Sequence, residues 1–177
     1  EREIRSEKKR RSDEAAIKIF GENIKQLLLT PPVRGKKVLG FDPAFRTGCK
    51  LAIVDETGKF LYKNVIYPTA PQNKTAEAEQ TILQLIKEYG INLIVIGNGT
   101  ASRESSVFVR DLIKKNKLDI QYMVVSEAGA SVYSASKLAQ EEYPDLDVTI
   151  RGAISIAHRV QDPLAELTKI DPKSIGV

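Results

Sequence analysis

The spacing of hydrophobic positions changes along the chain, and the first segment has the spacing of a helix. Between Ser12 and Leu29 apolar side chains recur every three or four residues, the period of an amphipathic α-helix. The run Thr30-Pro31-Pro32 ends this pattern because proline lacks a backbone N–H. The sequence therefore predicts one long helix, and its charged first turns indicate packing against a domain outside this sequence.

Three short β-like runs follow the helix. Turns that contain Pro or Gly separate them, and these turns are short enough to join antiparallel neighbours. The sequence predicts a three-stranded antiparallel meander formed by Lys37 to Phe41, Cys49 to Val54 and Phe60 to Ile66.

After the meander the pattern alternates between helix and strand. Asn92 to Ile96 is continuously apolar, which is typical of a strand covered on both faces, and Ile120 to Val125 is a further strand. The predicted helices are Thr75 to Tyr89 with Gly90 at its C-terminal end, Ser102 to Lys115, Ala130 to Glu142, and Ile150 to about Lys169 with a break or kink at Pro163.

Strands joined by helices run parallel, so the predicted order βββαβαβαα gives an α/β fold with a mixed five-stranded sheet. We expect an N-terminal helical extension over residues 1–32 and one compact domain over 36–169. Residues 170–177 would begin a following region, and the chain as a whole is expected to be a piece of a longer protein.

Composition narrows the possible function classes. The net charge of +4 comes mainly from the start of the chain: residues 1–11 hold six basic and three acidic side chains, leaving 21 and 20 for the remainder. A single cysteine, Cys49, allows neither an internal disulfide framework nor a cysteine-based zinc site and fits the cytoplasm. Apolar runs are too short to span a membrane, so no membrane partner is expected.

Polar residues follow three of the predicted strands. Asp42 ends the first, Gly97-Asn98 ends the fourth, and Ser126-Glu127 ends the fifth. In α/β sheets ligands usually bind at the carboxyl ends of the parallel strands. The topology therefore predicts that these segments converge on one site.

The segments that carry these residues resemble a known family. The order βββαβαβα with an acidic residue closing the first strand is that of ribonuclease H-like folds, and "VLGFDPAFRTGCKLAIVDETGKFL" is similar to the opening of RuvC resolvases. Together, "VSEAGASVYSAS" and "SIAHRVQDPLAEL" resemble the YqgF-like domain of Tex transcription accessory proteins. The resemblance covers roughly residues 36–167 and implies a nucleic-acid-binding protein with preceding helical, and following helix-hairpin-helix and S1, domains.

This resemblance implies a set of site residues. Asp42, Glu127 and Asp162 match acidic positions that would bind Mg²⁺ or Mn²⁺, and His158 precedes Asp162 by one helical turn. Nucleases of this kind use two cations about 4 Å apart held by three or four carboxylates. The fourth-strand position holds Asn98, so the set is one carboxylate short. Asn98, Thr100, Arg103 and Arg46 are the predicted nucleic-acid contacts.

Each of these residues also has a structural interpretation. Asp162 before Pro163 fits a helix N-cap, and Glu127 could favour the positive end of a helix. His158 could be a helix-surface or core residue. Gly97 to Thr100 could cradle a phosphate or form an ordinary strand-to-helix turn. Asp42 differs, because a β-like run rather than a helix follows it.

Three hypotheses follow from the sequence. The first is a non-catalytic or vestigial ribonuclease H-like module that binds RNA or DNA and packs against other domains of a transcription protein, with the transcription machinery as a further partner. The second is an active Mg²⁺- or Mn²⁺-dependent nuclease on structured nucleic acid. The third is a partner-binding platform without nucleic-acid contact, which salt-dependent binding of RNA or DNA would separate from the others.

Overall fold

A computed structural model describes residues 2–175 of the chain. It contains five strands and seven α-helices, followed by a short 3₁₀ helix. In chain order these are α1 (Arg2–Leu28), β1 (Val38–Asp42), β2 (Cys49–Val54), β3 (Phe60–Ile66), α2 (Thr75–Tyr89), β4 (Leu93–Gly97), α3 (Ser102–Lys115), β5 (Gln121–Val125), α4 (Ala130–Ser134), α5 (Lys137–Glu142), α6 (Val148–Gln161), α7 (Pro163–Leu167) and the 3₁₀ turn Pro172–Ser174.

The strands form one mixed sheet in the order β3-β2-β1-β4-β5. β1, β2 and β3 pair antiparallel, whereas β1, β4 and β5 run parallel. The predicted meander and the predicted parallel half are both confirmed. Because β1 lies at the centre, its carboxyl end is flanked by residues from both halves of the sheet.

Helices cover the two faces of the sheet in separate cores. Leu39 and Phe41 of β1 point to the face covered by α2 and α3, and Val38 points to the face covered by α6. At Gly40 the helix comes so close that an added Cβ would collide with the carbonyl oxygen of Ala153. The absence of a side chain at Gly40 thus lets α6 pack directly on β1.

One predicted helix differs from the structure, and a second breaks at the residue where the sequence predicted a break. The segment 130–142 is not one helix, because Ser136 caps a new one by accepting a hydrogen bond from the backbone N–H of Ala139 at 3.1 Å. The segment 150–169 divides at Asp162, where Pro163 begins α7. Both breaks come from local capping, which competes with continuation of the helix.

Helix α1 is longer than predicted and starts at Arg2. Its apolar Ile4, Ile17 and Ile19 are exposed, and only its last turns pack against the domain, in a cluster around Tyr133. Packing of its first turns on another domain stays a prediction. Across residues 2–175, no helix combines the length and the apolar character needed to cross a bilayer.

Candidate nucleic-acid site at the carboxyl edge of the sheet

Asp42 lies at the carboxyl edge of the sheet, between the two halves. It is the last residue of β1 and pairs across the antiparallel ladder with Lys50 of β2. On its other side, Phe41 pairs with Ile96, so β4 ends beside Asp42 with Gly97. No helix follows Asp42, and its carboxyl group faces α6 at Gly152, where an added Cβ would lie 3.5 Å from Oδ2.

Glu127 reaches the same edge from the end of β5. Its backbone N–H donates to Oδ1 of Asn98 at 3.0 Å, and the backbone N–H of Asn98 donates to the carbonyl of Val125 at 2.9 Å. The Glu127 carboxylate lies over the β4–α3 loop, where a Cβ at Gly97 or Gly99 would collide with it. The glycines that suggested a phosphate cradle therefore accommodate a carboxylate of the same chain.

The two carboxylates influence each other electrostatically. The pKa of Asp42 is raised from 3.8 to about 6, mainly by burial and then by the negative charge of Glu127, while the positive charge of Lys50 opposes this rise. Oε2 of Glu127 is buried without a hydrogen-bond partner among residues 2–175. Protonation of Asp42 at mildly acidic pH would relieve the repulsion between the two groups.

Lys50 supplies the nearby positive charge, and the sequence interpretation did not select it. It is 8 % exposed, and its Nζ donates to the carbonyl oxygens of Thr47 and Gly48 at 2.9 and 2.8 Å. The sequence could have indicated this role, because Lys50 lies inside the otherwise apolar strand CKLAIV and a buried charge requires hydrogen-bond partners. The ammonium group therefore holds the β1–β2 loop beside Asp42.

These donors do not fit a two-cation centre. Two hard cations need three or four carboxylates, whereas the edge holds Asp42 and Glu127. Within the part of the chain that the structure describes, no group of three or more His, Cys, Asp or Glu side chains is placed to hold a metal ion. The oxygen of Asn98 is already engaged by the Glu127 backbone.

Asp162 and His158 lie at the opposite edge of the sheet. His158 Nε2 is 2.7 Å from the carbonyl oxygen of Gly58, in the β2–β3 turn beyond Val54, and Val54 pairs with the start of β1. Since Gly152 faces Asp42, α6 carries His158 about 9 Å farther along its axis, at 1.5 Å per residue.

The structure therefore does not bring Asp162 together with Asp42 and Glu127, as the sequence analysis expected. Asp162 is exposed, and its Oδ1 caps α7 by accepting from the backbone N–H of Ala165 at 3.1 Å. His158 Nδ1 lies 3.4 Å from Oε2 of the buried Glu166. The helix residue that does reach Asp42 is Gly152, which has no side chain to contribute.

The four predicted nucleic-acid contacts stay together at the Asp42 edge. Arg46 is exposed in the β1–β2 loop, and its carbonyl accepts from Nε2 of Gln72 at 2.9 Å. Asn98 and Thr100 are exposed in the β4–α3 loop, and Arg103 is exposed in the first turn of α3. The β1–β2 loop and the β4–α3 loop both follow strand ends at the same edge, so all four residues lie at the end of the sheet that carries the two carboxylates.

Comparisons with known proteins agree with this architecture. The chain is similar to Protein tex of Bordetella pertussis, with 54 % identity over 95 % of this chain and 22 % of that protein. It is 59 % identical to the uncharacterized protein YdcI of Bacillus subtilis over 100 % of this chain and 25 % of that protein. It is also 48 % identical to the human S1 RNA-binding domain-containing protein 1, over 99 % of this chain and 18 % of that protein.

The chain thus spans about a quarter or less of these relatives. Among solved structures it is similar to Thermus thermophilus RuvC in complex with a Holliday junction substrate, with a TM-score of 0.51 at 12 % identity, over 76 % of this chain and 95 % of that one. This likeness confirms the ribonuclease H-like fold. The family model of the Tex protein YqgF-like domain matches residues 36–161, and the chain therefore belongs to the Tex YqgF-like domain family.

Proposed function

We propose that this domain is a non-cleaving nucleic-acid-binding module of a longer Tex-like transcription accessory protein. The observation that carries the proposal is the pairing of Asp42 with Gly152, which leaves the edge with two carboxylates where a two-cation nuclease needs at least three. The names of the relatives, a transcriptional accessory protein and an S1 RNA-binding domain-containing protein, support the transcription and RNA context.

Binding at this edge would use exposed arginine side chains rather than a metal ion. Arg46 in the β1–β2 loop and Arg103 in the first turn of α3 are exposed at this edge, and Asn98 and Thr100 in the β4–α3 loop add exposed polar groups. Guanidinium groups recognise phosphate through bidentate hydrogen bonds. Phosphates would lie along the outside of the edge, because Asp42 and Glu127 repel an anion from its centre.

The proposal also covers the context of the domain. Residues 1–32 would belong to a preceding helical region, 36–169 to the module itself, and 170–177 to the start of a region that leads to helix-hairpin-helix and S1 domains. The exposed apolar side chains of α1 support contact with another domain of the same protein. The transcription machinery would be the partner of the whole protein, in the cytoplasm, where the free thiol of Cys49 stays reduced.

An active Mg²⁺- or Mn²⁺-dependent nuclease is the second candidate. It is favoured by the buried, unpartnered Oε2 of Glu127 beside Asp42, since an uncompensated carboxylate oxygen is a suitable ligand for a hard cation. In this case one cation would bind between the two carboxylates, and the substrate would have to supply the remaining oxygen ligands.

Binding and cleavage measured on the same samples test both candidates. Fluorescence anisotropy would follow labelled single-stranded RNA, duplex DNA and branched DNA as KCl increases, with cleavage assayed in Mn²⁺, Mg²⁺ or EDTA. We expect salt-dependent binding that is equal with metal and EDTA, and intact substrates. Metal-dependent cleavage that Asp42→Asn abolishes would establish the nuclease instead. Salt-independent or absent binding would indicate a protein-binding platform.

A further inference from the structure

The side chain of Arg159 is buried, and two of its three guanidinium nitrogens lack a hydrogen-bond partner among the described residues. It is 5 % exposed, and its Nη1 donates to the carbonyl oxygen of Ser126 at 2.7 Å. Nε and Nη2 have no hydrogen-bond partner among residues 2–175. These two nitrogens share one edge of the guanidinium plane, and that edge matches the two oxygens of a carboxylate.

Arg159 lines a cavity of about 210 Å³ between the end of α1, strand β5 and the α6–α7 junction. Most of the wall is apolar, with Thr30 and Ser126 as the other polar members; the apolar lining residues are Leu27, Met123, Val124, Val125, Pro163 and Leu167. A second cavity of about 410 Å³ shares Leu27, Thr30 and Ser126 with it. The two cavities are therefore neighbours, and we call them together the groove.

The groove lies beside β5, the outermost strand on one side of the sheet. β5 is the terminal strand, and Val124 is 45 % exposed. An edge strand presents backbone groups that can pair with an extended polypeptide. A peptide that follows β5 into the groove would bring its end to Arg159.

The charges around Arg159 favour a singly charged ligand. Burial lowers the pKa of the guanidinium to about 10, while the negative charges of Glu166 and Glu127 oppose that shift. The group therefore remains positive at neutral pH. A phosphate dianion would be repelled by the same two carboxylates, whereas a single carboxylate adds less repulsion and fits the free edge of the guanidinium.

We propose that this groove binds the free carboxyl terminus of a polypeptide whose last side chain is apolar, with the terminal carboxylate on Nε and Nη2 of Arg159. A terminal apolar residue joins a carboxylate and a hydrophobic side chain at one carbon. This combination matches one arginine surrounded by apolar walls. The site adjoins the Asp42 edge through Ser126 and Glu127, but its ligand would contact Arg159 rather than Asp42.

The test uses small probes with the 177-residue chain and records amide shifts by NMR. N-acetyl-leucine carries the terminal carboxylate and apolar side chain, and N-acetyl-leucinamide is the same molecule without the charge. We expect millimolar binding of the acid, with shifts at Ser126 and Leu167, and at least tenfold weaker binding of the amide. Equal binding of both, or no shift with the acid, would overturn the proposal.

Two further probes distinguish the alternatives. Tighter binding of inorganic phosphate would identify an anion site for phosphate esters, and tighter binding of N-acetylglutamic acid α-amide would identify a site for acidic side chains. Either result would overturn the assignment to a terminal carboxylate. Weaker binding of both probes than of N-acetyl-leucine supports it.

Variants locate the binding in the groove. Arg159→Lys keeps the positive charge but loses the planar pair of donors, so we expect at least tenfold weaker binding of N-acetyl-leucine. Thr30→Trp, just after the end of α1, fills the mouth from an exposed position and should abolish binding without altering the core. Glu22→Trp, on the exposed surface of α1 and outside both cavities, should leave binding unchanged. Unchanged binding in Thr30→Trp would overturn the proposal even where Arg159→Lys fails to fold.

Discussion

Gly152 of α6 faces Asp42 of β1, so that a Cβ at residue 152 would lie 3.5 Å from Oδ2 of Asp42. This distance is an ordinary van der Waals contact, which means that the position has space for a Cβ. Helix α6, which packs on β1, therefore approaches Asp42 at Gly152, a residue with no side-chain oxygen that could bind a metal ion. Gly152 on α6 and Asn98 after β4 together leave this edge with two carboxylates.

Gly152→Asp is expected to create a metal site. The new carboxylate would join Asp42 and Glu127, and the added negative charge should lower the free energy of unfolding by about 1–3 kcal/mol in EDTA. Mn²⁺ at about 100 times its dissociation constant should restore about 2.7 kcal/mol. Urea unfolding with and without Mn²⁺ measures both effects.

Gly152→Asn is the matched control, since it has the same shape and no charge. Its unfolding free energy should respond to Mn²⁺ no more than that of the unmodified chain. If the Asp and Asn variants respond alike, residue 152 does not complete a cation site with Asp42.

Asp42→Asn is expected to stabilise the domain at neutral pH. Because the pKa of Asp42 is raised to about 6 on folding, the folded state holds its proton more strongly, and stability declines as pH rises from about 4 to about 6. The shift corresponds to a loss of at most about 3 kcal/mol in the free energy of unfolding, and this loss is constant above about pH 6. The advantage of Asp42→Asn should therefore grow from near zero at about pH 4 to its maximum near pH 7.

Urea midpoints across this pH range measure the difference. Asp119→Asn changes an exposed aspartate and should show no comparable pH-dependent gain. A gain for Asp42→Asn that is the same at every pH would mean that Asp42 remains ionised throughout.

Asp162→Ala tests the capping role of this residue. Loss of the hydrogen bond to the N–H of Ala165 should lower the free energy of unfolding by about 1 kcal/mol, and Asp162→Asn should change it by only a few tenths. Nucleic-acid affinity should be the same in both variants. A tenfold loss of affinity with retained stability would return Asp162 to the binding site.

Arg46→Ala and Arg103→Ala should each weaken nucleic-acid binding in a salt-dependent manner. Removal of one phosphate contact reduces the slope of log affinity against log salt by about 0.9 on duplex DNA. Arg110→Ala removes a charge from the same helix as Arg103, two turns away, and should leave the slope unchanged. Equal effects of all three variants would indicate attraction by overall charge rather than contacts at the edge.

The strand order and the convergence of Asp42, Asn98 and Glu127 could be predicted because they depend on topology. Strands joined by helices must run parallel, and their ends then meet. The place of Asp162 could not be predicted in the same way. It depends on which end of α6 lies beside Asp42, and this arises from the packing of α6 on the sheet rather than from any local sequence pattern. The buried partners of Lys50 and Arg159 likewise arise only from tertiary packing.

The contact of Gly40 with Ala153 has a consequence for how this edge can change. Main chain meets main chain there, so side-chain substitutions elsewhere cannot alter the separation of helix and strand by small steps. The contact at Gly40 leaves no room for a Cβ, whereas residue 152 has room for one beside Asp42. An ancestral or engineered chain could therefore gain or lose a ligand at this edge by one exchange, with the backbone unchanged.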